Sequence, residues 1–578
     1  MTHIYYENNF TSFNLNDSVH INRKPDQNID QNIDQNIDQN IDQNIDQKNI
    51  DYSYYSIDTK NILHHNLLGG IVKLSSTSIH TNTNGDIMKM FHPFNNYYPP
   101  FPVKISKKSD HIDKYVIVKI NELTTNKLNK LIMTGNIQKY IGDVGDSQNI
   151  NSLPKELGLI YWNTKFEKNN EYMKYISEID LTPERQDLTE IKNDNIFISV
   201  DNSNTTDIDD VVSIEKVNDS DYILGIHIAD PSSYIIEDSL LDRELSVRSE
   251  SLYLTNEIIH MLPKQLATNM FSLNKTDKNT KKRAFSIMAK ITISNDKISV
   301  TNIDIYKTLI RVDENLSYDE FQNKYKNISL LNTLYTIGKY INNTKYDKYD
   351  SKIMIESYMI FANKTVCQYI LDNNKNKIAE SIIIRHIQES KINDKLNTSC
   401  YMYYDLNMNK QDENTETKLY TSFTSPIRRY VDIIVHRMMY NLIRNKRIFK
   451  IDQYTKNIHN IFWTNHMRKY YKYISQLDNE INQINYYYEN YPDDSYIEVN
   501  GRIIHIEDKK IKVLFESIYD EDEYFDTDFK KNMTELLDGN IYHIDITNSN
   551  KQFILNNLIT FRLCFFLNDV RMIKPIIL

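Results

Sequence analysis

Cysteine is nearly absent. Cys367, Cys400 and Cys564 are the only three in 578 residues, and they stand far apart with no CxxC pair. That excludes a disulfide framework and a cysteine-based structural zinc site, and it fits an intracellular, reducing compartment, the cytoplasm ahead of the nucleus. Long hydrophobic runs are missing too. No apolar run approaches the ~20 residues that cross a bilayer, so no membrane partner is expected. The N-terminus, MTHIYYENNF, has no basic n-region and no apolar h-region, which argues against a secretory signal. Glycine is scarce, 11 residues against 42 tyrosines, in a composition skewed to Asn, Ile, Lys, Asp and Tyr. Those residues share AT-rich codons, so isolated tyrosines carry little functional weight. Positive charge is not in excess either: the net charge is −10. This argues against indiscriminate nucleic-acid binding, but a binding channel needs only a local positive field. Local clusters exist at Lys104, Lys107 and Lys108, at Lys275, Lys278, Lys281, Lys282 and Arg283, and at Arg428, Arg429 and Arg437. Each alone reads as a solvated face.

What is present is enough for several cores. Hydrophobic residues make up 40% and charged residues 25%, and the length exceeds that of one core, so a multidomain globular protein is expected. Residues 26–45 are five copies of DQNI. One Ile per four residues buries too little surface to offset ordering, so residues 1–55 are expected to be disordered. Residues 56–165 carry short alternating runs (GGIVKLSS, YVIVKINEL, KLIMTGNIQKYIG) with turn signals at Asn84-Gly85 and at 98–100, as in a small β-barrel. In 166–490, strands are expected at 196–201, 222–230 and 284–294, and helices at 236–250, 351–372, 426–445 and 453–488. The tail from 491 returns to alternation, as in a second barrel.

The segment VDNSNTTDIDDV at 200–211 ends an expected strand at Asp201 and then delivers Asp207, Asp209 and Asp210. Such a density of carboxylates repels itself unless cations neutralise it, and hard oxygen ligands suit Mg²⁺ or Mn²⁺. An EF-hand fails, because the sixth position counted from Asp207 is Val212 and the twelfth is Asn218. On this segment alone, a metal site and an acidic surface turn stand level. The second signal is YTSFTSPIRRYVDIIVHRMM at 420–439. Ser425 fits an N-cap and Pro426 the first helical turn, which puts Arg428 and Arg429 at the start of the helix. Cations are unfavourable there unless an anion binds. Arg428, Asp432 and His436 would share one i, i+4 ridge.

With these blocks in view, the sequence resembles the ribonuclease II/ribonuclease R (RNB) exoribonuclease family, especially its eukaryotic exosome-type branch. Eight blocks fall in the family's order: ERQDL (184–188), HIADPSSYI (227–235), LDRELSVRSESLYL (241–254), HMLPKQLATNMFSLN (260–274), LSYDEF (316–321), IESYMIFANKTV (355–366), IRHIQES (384–390) and FTSPIRRYVDIIVHR (423–437). The resemblance implies a mixed α/β RNB catalytic domain flanked by small OB-type barrels, with a cold-shock-like barrel at 56–165 and an RNA-binding barrel at 491–578: a multidomain α+β protein. It implies a 3′→5′ exoribonuclease acting on single-stranded RNA with two Mg²⁺ ions. Asp201, Asp207, Asp209 and Asp210 would hold the metal, with Asp209, Asp210 and Arg428 catalytic. Tyr253, Tyr318, Glu356, Arg428 and Arg429 would contact RNA, Tyr253 by stacking on the 3′-terminal base. Glu356 and Asn363 lie seven apart, on one helix face.

The sequence also departs from the family pattern. Only one complete N-terminal barrel fits before ERQDL, and no endonuclease domain does, so tethering to an exosome core is not expected and a monomer is. Ser249 stands where the family commonly has Gly. The short segment between LSYDEF and the Glu356 helix leaves no partner aromatic for Tyr253. The stretch YDEDEYFDTD at 519–528 is acidic.

Overall fold

The computed structural model describes the short strands at 21–23 and 55–57 and most of residues 67–577. The DQNI repeat, residues 95–99, 177–184, 374–381, 389–397 and 405–419, and most of the acidic stretch (520–526) lie outside the described residues.

Alternation builds the first barrel. Strands β1 (Leu67–Val72), β2 (Ile87–Pro93), β3 (Phe101–Lys104), β4 (Lys114–Thr125) and β5 (Leu131–Asp143) pair in a closed circuit, with β1 bonded to both β2 and β4. Val116, Val118 and Ile120 fill its interior with Phe91, Phe101 and Val103. The alternate residues Tyr115 and Ile117 pack outward on Leu153 and Leu157 of helix α1 (Ser147–Gly158). Closure brings backbones together at Gly70, where a Cβ would lie 2.2 Å from the His92 carbonyl oxygen, so only glycine fits.

The central sheet contains β6 (Asn195–Asp201), β7 (Asp210–Lys216), β8 (Asp221–Ala229), β9 (Lys282–Ser294), β10 (Lys297–Ile310) and β11 (Glu314–Ser317), ordered β11-β6-β7-β8-β9-β10, with 186–187 beyond β10. Its pairs are antiparallel except β6 with β11 and β10 with 186–187. Runs such as Phe197–Val200 and Leu224–Ala229 are buried without alternation because the helices share the core of this sheet. Helix α2 (Leu240–Arg248) is followed by α3 (Tyr318–Lys324), α4 (Ser329–Asn342), α5 (Ser351–Asn373) and α6 (Tyr430–Asn445). The expected helix at 236–250 is shorter, because Asp238 takes φ 63° and the Ser239 hydroxyl caps the N–H of Asp242.

Helix α7 (Ile451–Asn490) is the long connector. Its Met467, Tyr471, Ile474, Leu477 and Ile481 share a core with α1 and with the C-terminal sheet. That sheet runs β14-β13-β12-β15-β16, from β12 (Tyr496–Ile506), β13 (Lys510–Ile518), β14 (Ile541–Asp545), β15 (Leu558–Phe565) and β16 (Ile573–Ile577), with α8 (Thr527–Leu537) between β13 and β14. No helix among the described residues is long and apolar enough to cross a membrane.

Candidate active site

The acidic segment is shaped by an apolar anchor. Ile208 is buried, which aims its neighbours Asp207 and Asp209 away from it. The loop is pinned from below. The Ser272 hydroxyl accepts the Ile208 N–H and donates to the Thr206 carbonyl, and the Leu273 N–H reaches the Ile208 carbonyl. The Ala229 N–H donates to the Asp209 carbonyl at 2.8 Å, so the end of β8 fixes the start of β7. Asp201 terminates β6. Parallel pairing with β11 sets it opposite Ser317, and Tyr318 follows as the first residue of α3, whose capping box is formed by Ser317 and Glu320.

The arginine segment meets these acids, but not as a helix start. The helix was expected from Pro426 and begins at Tyr430. Tertiary pairing explains the delay. The Ser251 N–H donates to the Arg428 carbonyl, the Tyr430 N–H donates to the Ser249 carbonyl, and Glu250 forms a β-bridge with Arg429. The two arginines therefore lie in a turn held extended against 249–251. The expected i, i+4 ridge also differs. Asp432 accepts the Ser425 N–H at 2.8 Å and the Arg429 guanidinium at 2.9 Å, rather than serving Arg428 or His436. His436 bonds the Phe423 carbonyl instead.

Two contacts join the halves of the site. Asp209 Oδ1 accepts the Ile427 N–H at 2.8 Å, and Asp209 Oδ2 lies 3.5 Å from Arg428 Nε. The Arg428 side chain remains 43% exposed and is also anchored by the Ser425 hydroxyl, so the guanidinium is positioned yet accessible. Its charge also acts on the neighbouring Tyr253 phenol. Tyr253 is 43% exposed on the two-residue ladder 252–253/258–259, and its carbonyl accepts from Ser475 of α7.

The electrostatics describe carboxylates whose negative charge is disfavoured unless a cation neutralises it. Burial pushes Asp209 up to about 8, against the opposing effects of Arg428 and the Ile427 N–H. Burial and the nearby Asp207 hold Asp201 near 6, while burial, Asp201 and Asp209 drive Asp210 well above the usual range. Tyr318 is pushed up to about 12 by burial, then by Asp201 and Asp210, with Glu356 contributing. Glu356 itself is exposed on α5.

Hard carboxylate oxygens are the donors a divalent cation takes, and Asp201 Oδ2 is buried without a hydrogen-bond partner. The donor set therefore fits such an ion. Among the described residues, no three or more acidic, histidine or cysteine side chains are grouped closely enough to hold a metal ion as they stand.

Several contributors were not singled out from sequence. His260 Nδ1 lies 3.3 Å from Asp207 Oδ2. Asn363, legible only as a face-mate of Glu356, accepts the Phe423 N–H and donates to Tyr420 and Thr424, fixing the approach to the arginine turn. The Ile427 N–H, as a backbone donor, has no side-chain signature. Of the other basic residues, Lys104 pairs with Asp86, Lys281 with Asp187 and Arg437 with Asp242, while Lys107, Lys108 and Lys278 lie outside the described residues.

The RNB domain family model matches residues 185–337 and 371–445. Ribonuclease R of Chlamydia pneumoniae is 25% identical over 330 residues, 44% of this chain and 47% of that protein. DIS3-like exonuclease 2 of Schizosaccharomyces pombe is 26% identical over 349 residues, 43% of this chain and 37% of its own length. The bacterial and eukaryotic relatives thus match at the same level, and the chain spans about half the length of the curated relatives it matches. Among solved structures, Mycoplasma genitalium RNase R in complex with ribose-methylated single-stranded RNA has a TM-score of 0.63 at 17% identity, covering 89% of each chain. Yeast Ssd1, a pseudonuclease, has a TM-score of 0.61 at 14% identity, covering 83% of this chain and 65% of Ssd1. At these identities the structural likeness is one of fold.

Proposed function

We propose that this chain, whose residues 185–337 and 371–445 match the RNB domain family model, is a divalent-cation-dependent exoribonuclease that shortens single-stranded RNA from its 3′ end, releasing nucleoside 5′-monophosphates. The observation that carries the reading is the junction of Asp209 with Ile427 and Arg428, which couples the acidic loop to an exposed guanidinium. Asp201, Asp207, Asp209 and Asp210 would hold two Mg²⁺ ions, with Mn²⁺ as a substitute. Magnesium bound there supplies electrostatic stabilisation of the attacking and leaving oxygens.

The chain's own residues do the rest. Arg428 presents a planar fork for the scissile phosphate, pre-oriented by Ser425 and Asp209, so little reorganisation is needed as charge develops. Tyr253 offers a ring to the terminal base, a contact indifferent to base identity and so suited to repeated cleavage. Tyr318 on α3, which feels the charge of Asp201, Asp210 and Glu356, and Glu356 on α5 would meet the terminal nucleotides. Arg429, bound to Asp432, would add positive field more than a direct contact. The flanking barrels would guide the single strand toward the site.

A second reading, an RNA-binding protein without catalysis, is favoured by one observation, the likeness to the pseudonuclease Ssd1. The retained set of four carboxylates argues against it. The test incubates 5′-labelled single-stranded RNA with Mg²⁺ and wild-type or Asp209→Asn protein. A 3′-shortening ladder lost in the variant, with RNA binding kept, supports catalysis. Binding without shortening in either protein supports the second reading. Equal activity in the variant would sink the mechanism.

A further inference from the structure

At the start of β9 is a cavity of about 280 Å³ that the proposed nuclease chemistry does not use. Arg283, at the start of β9, lines it, with its guanidinium 4.5 Å over the Tyr234 ring. Arg283 Nη1 is buried and has no hydrogen-bond partner among the described residues. Leaving a charged donor in that state is costly, and an acceptor arriving from the cavity would remove the cost. Lys282 also lines the cavity. Its Nζ bonds only neutral oxygens, those of Ser272 at 2.8 Å and Asn274 at 2.9 Å, with the Asn269 carbonyl further off. Among the described lining residues the one carboxylate is Asp230, already committed to Arg185 and to the Ser232 hydroxyl. Among the described residues, two cations thus face a chamber with no anion assigned to them. Thr276 and Asn269 add polar groups to the wall.

From this arrangement we infer that the cavity between Tyr234, Lys282 and Arg283 is a binding site for a phosphate group, carried by inorganic phosphate or by a nucleotide monoester. A guanidinium fork beside an ammonium is the pairing that a tetrahedral oxyanion takes. The volume is just below the ~300–1,000 Å³ of small-ligand pockets, so the guest is small. Phe271, which lines the cavity, immediately precedes Ser272 and Leu273, the two residues that pin the acidic loop. An occupant would therefore stiffen the loop that carries Asp207 and Asp209. The site stands apart from the proposed nuclease chemistry: either can fail while the other holds.

The test is isothermal titration calorimetry of the full chain in EDTA, with inorganic phosphate, AMP and adenosine as separate titrants. Phosphate and AMP are expected to bind saturably, one per chain, and adenosine not to bind. Tighter binding of AMP assigns a nucleotide monoester, and equal affinity assigns phosphate itself. Arg283→Gln is expected to weaken binding at least 10-fold. Arg283→Lys, which keeps the charge but not the fork, is expected to weaken it several-fold and covers the case in which the glutamine variant does not fold. Arg428→Gln is expected to bind as the wild type does. Absence of saturable binding, unchanged affinity in a folded Arg283 variant, or loss of binding in Arg428→Gln would each overturn the assignment.

Discussion

Replacing Asp209 with Asn should make the protein more stable and inactive at once. Asp209 is 5% exposed, and its carboxyl is pushed up to about 8 by burial, from an ordinary value of 3.8. Between those values the folded state binds a proton that the unfolded state releases. This group's contribution to stability is therefore fully present below pH 3.8 and is lost as pH rises through about 8. At pH 7 the accumulated cost to folding is about 4 kcal/mol, an upper bound because Arg428 would lose its partner in the variant. Asparagine carries no such cost, and its amide oxygen can still accept the Ile427 N–H. In EDTA at pH 7, Asp209→Asn should melt above the wild type, at roughly 2–4 °C per kcal/mol recovered. The gap should close at pH 4, and added Mg²⁺ should raise the Tm of the wild type more than that of the variant. Thermal melts followed by circular dichroism, run beside the labelled-RNA assay, read both effects. A variant that melts at or below the wild type in EDTA at pH 7 would show that Asp209 is a structural acid, and the argument from unneutralised charge would fail.

Other perturbations have separate readouts. Arg428→Gln should lower kcat by at least 100-fold with RNA affinity changed only a few-fold, checked by single-turnover cleavage and filter binding, since the guanidinium is asked to stabilise charge in the transition state. Tyr253→Ala should weaken binding of short single-stranded RNA by about 1–3 kcal/mol without base preference, measured by fluorescence anisotropy. Arg185→Met should cost about 3–5 kcal/mol by stranding the buried Asp230, and Asp230→Asn in the same chain should recover much of that loss in denaturant titrations. His227 is buried between the Ser286 and Ser213 hydroxyls and pushed down to about 3, so it stays neutral in the fold. The unfolded chain takes up a proton below about pH 6.5, so stability should fall as pH drops from 6.5 toward 3. His227→Gln should flatten that part of the Tm-against-pH curve.

The sequence by itself determined the elements and the chemical groups. Period-two runs such as YVIVKI became barrel strands because alternate residues need opposite faces, and the strands ending at Asp201 and Ala229 lie within a residue of where their apolar runs place them. The acids and the arginine segment were legible for the same local reason: charge that dense is unstable without a partner. Only the tertiary structure decided who the partner is. Arg428 and Arg429 read as a helix start, because Ser425-Pro426 is a good local cap, yet residues 249–251 take up the backbone groups of 428 and 430 and hold the arginines in a turn. Asp432 goes to Arg429, and Asp209 reaches across 218 residues to the Ile427 N–H. A backbone donor has no sequence signature, and a contact at that separation is fixed by the packing of β7 and α6 on one core. For that reason the sequence could name four carboxylates and an arginine, while their meeting at Asp209 emerged only from the fold.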